Sequence, residues 1–195
     1  MLNDEAAFGE VKKATIDVLL SLQKNDPEYY SDEMIKGFLL SFSSAGTGTT
    51  GGTLEWALTL LLNSPEVLEK AQAELDEKVG HDCLLQESDI EHLPYLHCII
   101  METLRMYPAG PLAFHSSSAD CKLGGYYVPK GTMVIAHLWA VHNDPNVWEE
   151  TEKFRPERFE GMEGNRVGFK MVPFGAGRRS CPGEGLAMRV LGLTL

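Results

Sequence analysis

The chain has 195 residues, 44% of them hydrophobic, which is enough for one globular domain with a core of its own. Its formal net charge of −11 argues against nucleic acid as a partner, because phosphate binding needs a basic surface. No apolar run reaches the roughly 18 residues of a membrane span, and the four cysteines form no Cys-x-x-Cys pair, which argues against a zinc site or a disulfide framework.

The first third of the chain predicts two helices and a glycine-rich segment. A broken apolar face predicts a helix over residues 4–23, ended by Asn25-Asp26-Pro27. Ser31 can cap a second helix, which runs into the segment 45–52 and resumes to Asn63. That segment holds four glycines, each costing about 1 kcal/mol relative to alanine in a helix. Either a loop joins two helices there, or one long helix is opened in the middle, where a flat ligand meets its backbone.

Two amphipathic helices are predicted next. The first begins at Ser64-Pro65 and ends at Gly80, where a C-terminal glycine is favoured. Its outer face is expected to carry two ion pairs between residues four apart, Glu66 with Lys70 and Glu74 with Lys78. A capping box of Ser88 and Glu91 precedes the second helix, from about Pro94 to Tyr107.

Short extended segments with glycine turns follow. They predict a small sheet beside a helical body, and a short helix over residues 137–142 closes the region. The segments are the extended stretch 109–114, a hairpin over 121–128 that turns at Gly124-Gly125, a turn at 129–131 and a strand over 132–136.

The stretch from Phe174 to Gly183 places one cysteine on a glycine-rich loop. Pro182 suits the first position of a helix, so Cys181 would face the free N–H groups of a helix start, which stabilise a thiolate. Gly175, Gly177 and Gly183 let the backbone bend and approach a flat ligand, and Arg178 and Arg179 offer forked cations for carboxylates. The alternative is a buried, inert cysteine on an ordinary turn.

The spacing Phe174-x-x-Gly177-x-Arg179-x-Cys181-x-Gly183 resembles the haem-binding signature of the cytochrome P450 superfamily, the haem-thiolate monooxygenases. The resemblance implies that Cys181 is the axial ligand of the iron of haem b, that Arg179 meets a haem propionate and that Phe174 packs near the sulfur. Gly175, Gly177 and Gly183 would line the cofactor. A thiolate ligand pushes electron density onto the iron and favours O–O cleavage.

Ala45-Gly46-Thr47-Gly48-Thr49-Thr50 resembles the oxygen-activation motif of the same family. The resemblance implies that Thr49 is catalytic and that Ala45 and Gly46 lie against the cofactor. Gly48 stands where the family usually has an acid. Proton delivery must therefore use water or another group, or is impaired.

Glu102 and Arg105 lie three residues apart on one helix face, which by itself indicates a surface ion pair. The segment 154–159 resembles the family's Pro-Glu-Arg-Phe element, which implies that Glu102, Arg105 and Arg158 form a buried network holding the loop that leads to Cys181. The resemblance also implies that His115, after an extended segment, contacts a propionate. A plain surface histidine is the equal alternative.

These resemblances imply a mainly α fold with a small β-sheet (α+β), a partial cytochrome P450 fold with a long central helix and a haem-binding loop. They cover nearly the whole chain but match the C-terminal half of a full enzyme, so we expect residues 1–195 to form one incomplete domain. Gly125-Tyr126, 128–132 and 173–175 are similar to plant A-type enzymes of the isoflavone hydroxylase kind.

The resemblance implies a monooxygenase of plant secondary metabolism that inserts one atom of dioxygen into a small lipophilic substrate. An NADPH-dependent flavoprotein reductase would supply the electrons. The full-length parent is expected on the cytosolic face of the endoplasmic reticulum membrane, through an N-terminal anchor that this chain lacks. Basic residues of the last third are candidates for the surface that receives an acidic electron-transfer partner: Arg155, Arg158, Arg166, Lys170, Arg178, Arg179 and Arg189.

Two alternatives remain open at this point. One is a truncated, non-catalytic fragment with weak or no haem binding and an exposed apolar surface. The other is a haem-thiolate isomerase or dehydratase that rearranges peroxides, although such relatives depart at the threonine that Thr49 matches.

Overall fold

A computed structural model describes residues 14–81, 83–161 and 168–195. This part of the chain contains six α-helices and four short strands, together with short 3₁₀ turns. The prediction of a mainly helical chain with a small β component is confirmed. The chain divides into two compact units, one up to Ala45 and one from Gly46 onward.

In the first unit, local capping sets the helix boundaries. Helix α1 spans Thr15–Asn25, and its end before Asp26-Pro27 is as predicted, whereas residues 4–13 of the predicted helix lie outside the described part. The hydroxyl of Ser31 accepts the backbone N–H of Met34 at 3.2 Å and caps the helix that follows. The Ser31 cap is therefore confirmed.

Helix α2 spans Asp32–Leu62 and is helical at each of its 31 residues. The alternative of a loop between two helices is therefore wrong. The long helix is the correct alternative, and its backbone is not broken at the glycines where we expected it to open. In the second unit, the buried hydroxyl of Thr53 donates to the carbonyl of Thr49 at 2.9 Å. This bond back to the preceding turn is a common way for a threonine to sit inside a helix.

The core of the second unit is built on helix α4, Pro94–Met106, ten of whose 13 residues are buried. It packs against helix α3, Pro65–Lys78, against helix α6, Glu184–Thr194, and against the 3₁₀ turn Pro156–Phe159. Gly80, with φ of +85°, follows the end of α3 as predicted. Helix α6 begins at Glu184, two residues later than the Pro182 start that the sequence predicts.

The ion pairs expected on α3 are wrong. Lys70 pairs with Glu157 at 2.5 Å, and Lys78 pairs with its neighbour Glu77 at 2.8 Å. Glu74 instead faces the start of α4, where its two carboxylate oxygens accept the backbone N–H groups of Tyr95 at 2.8 Å and Leu96 at 2.9 Å.

The turn before α4 also differs from its prediction. It is a 3₁₀ turn over Glu87–His92, and the carboxylate of Asp89 accepts the backbone N–H of Gln86 at 2.8 Å. The capping box therefore starts two residues earlier than the predicted pair of Ser88 and Glu91.

The strands form two separate two-stranded antiparallel sheets rather than one. Strand β1, Leu112–Ser116, pairs with β4, Met133–His137, so that His115 lies opposite Val134. Strands β2, Cys121–Leu123, and β3, Tyr126–Val128, form the predicted hairpin. Its turn residues, Gly124 and Gly125, have φ of +56° and +88°, a turn that matches the strand twist. Helix α5, Leu138–His142, follows β4 directly.

Within the ranges described, none of the helices is both long enough and apolar enough to cross a bilayer.

Candidate functional site

The loop before α6 is closed by backbone hydrogen bonds. The N–H of Cys181 donates to the carbonyl of Phe174 at 2.8 Å, and the N–H of Gly175 donates to the carbonyl of Val172 at 2.9 Å. Gly175 and Gly177 have φ of +74° and +83°, a region that residues with a Cβ rarely adopt. The two glycines therefore permit the turns that bring Cys181 back to Phe174.

The side chain of Cys181 is exposed at the end of this loop, so the alternative of a buried cysteine is wrong for this residue. A Cβ built on Gly183 would lie 3.7 Å from its Sγ, so this glycine stands beside the sulfur without a side chain. Cys98 provides the contrast, because it is 4% exposed and burial raises the pKa of its thiol to about 11. The thiol that the sequence singled out is therefore accessible, as are those of Cys83 and Cys121.

The charged groups near this loop differ in their surroundings. Arg178 and Arg179 are exposed in the 3₁₀ turn Gly177–Arg179, and Lys170 is exposed just ahead of the loop. Among the described residues these three side chains form no ion pair. Three other cations of the last third are paired: Arg155 with Glu150 at 2.7 Å, Arg158 with Glu102 at 3.1 Å and Arg189 with Glu87 at 3.2 Å. Arg166 lies outside the described residues.

The structure brings Glu102, Arg105 and Arg158 together in a buried network. Nε and Nη2 of Arg105 donate to the two carboxylate oxygens of Glu102 at 2.7 and 2.9 Å, and Nε of Arg158 donates to the same carboxylate at 3.1 Å. The side chains of Glu102 and Arg105 are 0% exposed and that of Arg158 is 8% exposed. A surface ion pair is thus the wrong description of this contact.

Arg105 also reaches beyond the network. Its Nη1 donates to the carbonyl of His142 and to Oδ1 of Asn143, both at 3.2 Å, and its Nη2 donates to the carbonyl of Thr151 at 2.8 Å. One guanidinium on α4 therefore holds the end of α5 and the segment that leads to Arg158, and none of its charge is left unpaired in the interior.

His142 is a buried residue of this region that the sequence interpretation treated only as a helix end. It is 0% exposed, and its Nε2 accepts the backbone N–H of Val172 at 2.9 Å. Val172 lies two residues before Phe174, at the root of the loop. A single histidine with no motif around it carries no sequence signal for such a contact.

The other predicted site residues lie on two elements. Ala45, Gly46 and Thr49 are exposed residues of α2, with Ala45 ending the first unit and Gly46 beginning the second. His115 is exposed on β1, opposite Val134. Their roles toward a cofactor or oxygen stay predictions.

Comparison with known proteins gives consistent results. A sequence model of the cytochrome P450 family matches residues 3–195. The (+)-piperitol/(+)-sesamin synthase of Sesamum radiatum is 51% identical over 195 residues, covering 100% of this chain and 38% of that protein. The isoflavone 2′-hydroxylase of Glycyrrhiza echinata is 51% identical over 196 residues, covering 100% of this chain and 39% of that protein. The chain thus spans about two fifths of the length of these relatives.

A solved structure shares the fold. A zebra fish cytochrome P450 determined with progesterone superimposes with a TM-score of 0.71 at 42% sequence identity, covering 78% of this chain and 35% of that one. This agreement confirms the partial fold predicted from the motifs. The family model matches nearly every residue, and the plant relatives are about 50% identical. The chain therefore belongs to the cytochrome P450 family, whose cofactor is haem.

Proposed function

We propose that this chain carries the haem-binding part of a plant monooxygenase that inserts one oxygen atom from dioxygen into a small lipophilic molecule. The observation that carries the proposal is the exposed sulfur of Cys181 on a loop closed by its own backbone. A thiolate-ligated haem supplies the activation and cleavage of dioxygen when it is bound.

The residues around Cys181 fit such a group. In a haem-thiolate protein the iron takes one cysteine thiolate from the protein, and Cys181 is exposed for that role. Gly183 lies beside the sulfur and presents no side chain to it. Arg179, exposed and without an ion pair among the described residues, would provide the cation for a propionate.

The glycines of α2 offer a second place for a flat group. A Cβ built at any of Gly46, Gly48, Gly51 or Gly52 would meet nothing within 4 Å among the described residues. Packing among the described residues therefore does not explain these glycines, although each weakens the helix. A cofactor lying against this backbone would explain them. Thr49 would then take part in proton delivery, which would use water or another group, or be impaired, because Gly48 offers no carboxylate.

The nature of the substrate is supported by the relatives and by one sheet. The names of two relatives specify an isoflavone and piperitol or sesamin. Strands β1 and β4 expose apolar side chains, with Phe114 62% and Ile135 50% exposed. These features support a small lipophilic substrate.

The electron donor would be an NADPH-dependent flavoprotein reductase. Lys170, Arg178 and Arg179 lie beside the loop, form no ion pair within the described ranges and would attract its acidic surface. The endoplasmic reticulum membrane, as the place of a full-length parent, stays a prediction.

The test is the reduced, carbon monoxide-bound difference spectrum of the purified chain after loading with haem. We expect a thiolate-type Soret band, which Cys181→Ala should abolish. Cys121→Ala is the matched control, since Cys121 is also exposed but lies on β2, and it should keep the band.

Other outcomes would contradict the proposal. A band that survives Cys181→Ala would remove Cys181 as the ligand. A chain that retains no haem would support the non-catalytic alternative, and conversion of a peroxide without reductase would support the isomerase alternative.

A further inference from the structure

We propose that His142 is a positioning residue of the Cys181 loop: its imidazole holds the backbone from which the loop departs and so fixes how the sulfur is presented. This inference rests on the proposed function, in which Cys181 binds the haem iron.

The first observation is a short series of hydrogen bonds between the imidazole and the cysteine. Nε2 of His142 accepts the N–H of Val172 at 2.9 Å. The carbonyl of Val172 accepts the N–H of Gly175 at 2.9 Å, and the carbonyl of Phe174 accepts the N–H of Cys181 at 2.8 Å. The backbone N–H and the carbonyl of Val172 are thus both hydrogen-bonded at the start of the loop, and the N–H is bonded to His142.

The second observation is that His142 is itself fixed. Its carbonyl accepts Nη1 of Arg105 at 3.2 Å, and Arg105 is bound bidentately by Glu102. The backbone of His142 is therefore tied to the buried charge network, while its ring is tied to the loop. One connection between that network and the root of the Cys181 loop therefore runs through this side chain.

The third observation concerns the protonation state. Because Nε2 accepts a hydrogen bond, the proton of the neutral ring lies on Nδ1. At 0% exposure the ring keeps a polar acceptor, Nε2, in the interior, where a polar atom is costly unless it is hydrogen-bonded. An apolar residue of similar size would fill the space but leave the N–H of Val172 without an acceptor.

The test compares His142→Gln with His142→Leu in the haem-loaded chain. The amide oxygen of glutamine can replace Nε2 as acceptor, whereas leucine fills the space without accepting. We expect His142→Gln to keep most of the thiolate-type band of the reduced carbon monoxide complex. We expect His142→Leu to convert more than half of it, at equal haem content, into the shorter-wavelength band of a protonated or displaced sulfur.

The matched control is a variant whose core is destabilised away from the loop. Ile99→Ala removes a fully buried side chain from the second core cluster, which it forms with Leu61, Val67 and Ala71, and should leave the ratio of the two bands unchanged. The inference is overturned if His142→Leu shows the ratio of the starting protein or of Ile99→Ala. It is equally overturned if His142→Gln behaves like His142→Leu, because acceptance would then not be the property that matters.

A measurement without haem separates this inference from the proposed function. In amide hydrogen exchange followed by mass spectrometry, the N–H groups of Val172 and Gly175 should exchange at least tenfold faster in His142→Leu than in His142→Gln. Equal exchange would refute the positioning role even if the thiolate band is present. Faster exchange together with no thiolate band in the starting protein would refute the proposed function alone.

Discussion

The thiols of Cys98 and Cys181 lie in opposite surroundings, one buried and one exposed. Cys98 lies in the core on α4, where burial, followed by the charges of Glu160 and Glu74, raises its pKa to about 11. Cys181, like Cys83 and Cys121, is exposed. Since the thiolate is the reactive form, exposure and pKa together should separate Cys98 from the other three.

Alkylation of the native protein at pH 8 tests this difference. About one thiol in a thousand is ionised three pH units below its pKa, so Cys98 should stay unlabelled while the exposed cysteines react. Haem should then protect Cys181 but not Cys83 or Cys121. Peptide mass spectrometry measures the labelling, and a denatured sample, in which all four react, is the control. Labelling of Cys98 at the rate of Cys121 would contradict the buried position.

His142 gives the protein a predicted sensitivity to acid. Burial, and then the positive charge of Arg105, lower the pKa of His142 from its ordinary 6.5 to about 4. The unfolded chain therefore takes up a proton as pH falls below about 6.5, and the folded chain does so only near pH 4. The contribution of the neutral ring to the free energy of unfolding is therefore fully present above pH 6.5 and is lost as the pH falls from 6.5 to about 4.

Urea denaturation at pH 7 and pH 4.5 measures this contribution. The free energy of unfolding should fall by about 2 kcal/mol more in the starting protein than in His142→Gln, which cannot titrate. Carboxylates titrate in both proteins, so the difference between them isolates the histidine. The same pH dependence in both proteins would show that His142 is accessible to protons in the folded state.

Among the helices, α4 has an N-terminus that is stabilised by a side chain of another helix. Its residue before the first turn is Leu93, and its first turn holds no acidic residue. The carboxylate of Glu74 on α3 supplies what is missing, since it accepts two N–H groups of α4 and places negative charge at the positive end of the helix dipole.

Replacing Glu74 tests this contact. Glu74→Ala should lower the free energy of unfolding by about 1–2 kcal/mol, the usual cost of losing a helix cap. Glu77→Ala on the same helix removes a carboxylate that is 72% exposed and bound to Lys78, and it should leave the urea midpoint nearly unchanged. Equal effects of the two substitutions would mean that the helix start is satisfied by water.

At the scale of the whole second unit, the network of Glu102, Arg105 and Arg158 connects segments that are distant in sequence. It joins α4 to the end of α5 through His142, and to the segment at Thr151 and Arg158. Loss of one buried charge leaves its partners uncompensated in a medium of low polarity.

Glu102→Gln should therefore destabilise the protein by about 3–5 kcal/mol, measured by urea denaturation. Arg155→Ala is the control, because its side chain is 45% exposed and, among the described residues, its one ion pair is with Glu150; it should change the midpoint little. A small effect of Glu102→Gln would show that water reaches the network.

Features that depend on residues close together in the chain could be predicted from the sequence. The Ser31 cap, the glycine after α3, the Gly124-Gly125 turn and the span of α4 all follow from local backbone preferences and hydrophobic period. The Cys181 loop is of the same kind, because its glycines and its cysteine are contiguous.

Contacts between groups that are distant in the chain became known only from the folded structure. Lys70 has Glu66 within one helical turn but binds Glu157, and Glu74 binds backbone groups of another helix. His142 carries no motif, and its contact with Val172 exists because α5 and the root of the loop pack together. A side chain can choose among several partners of similar local energy, and packing of the core selects the one that is buried with it.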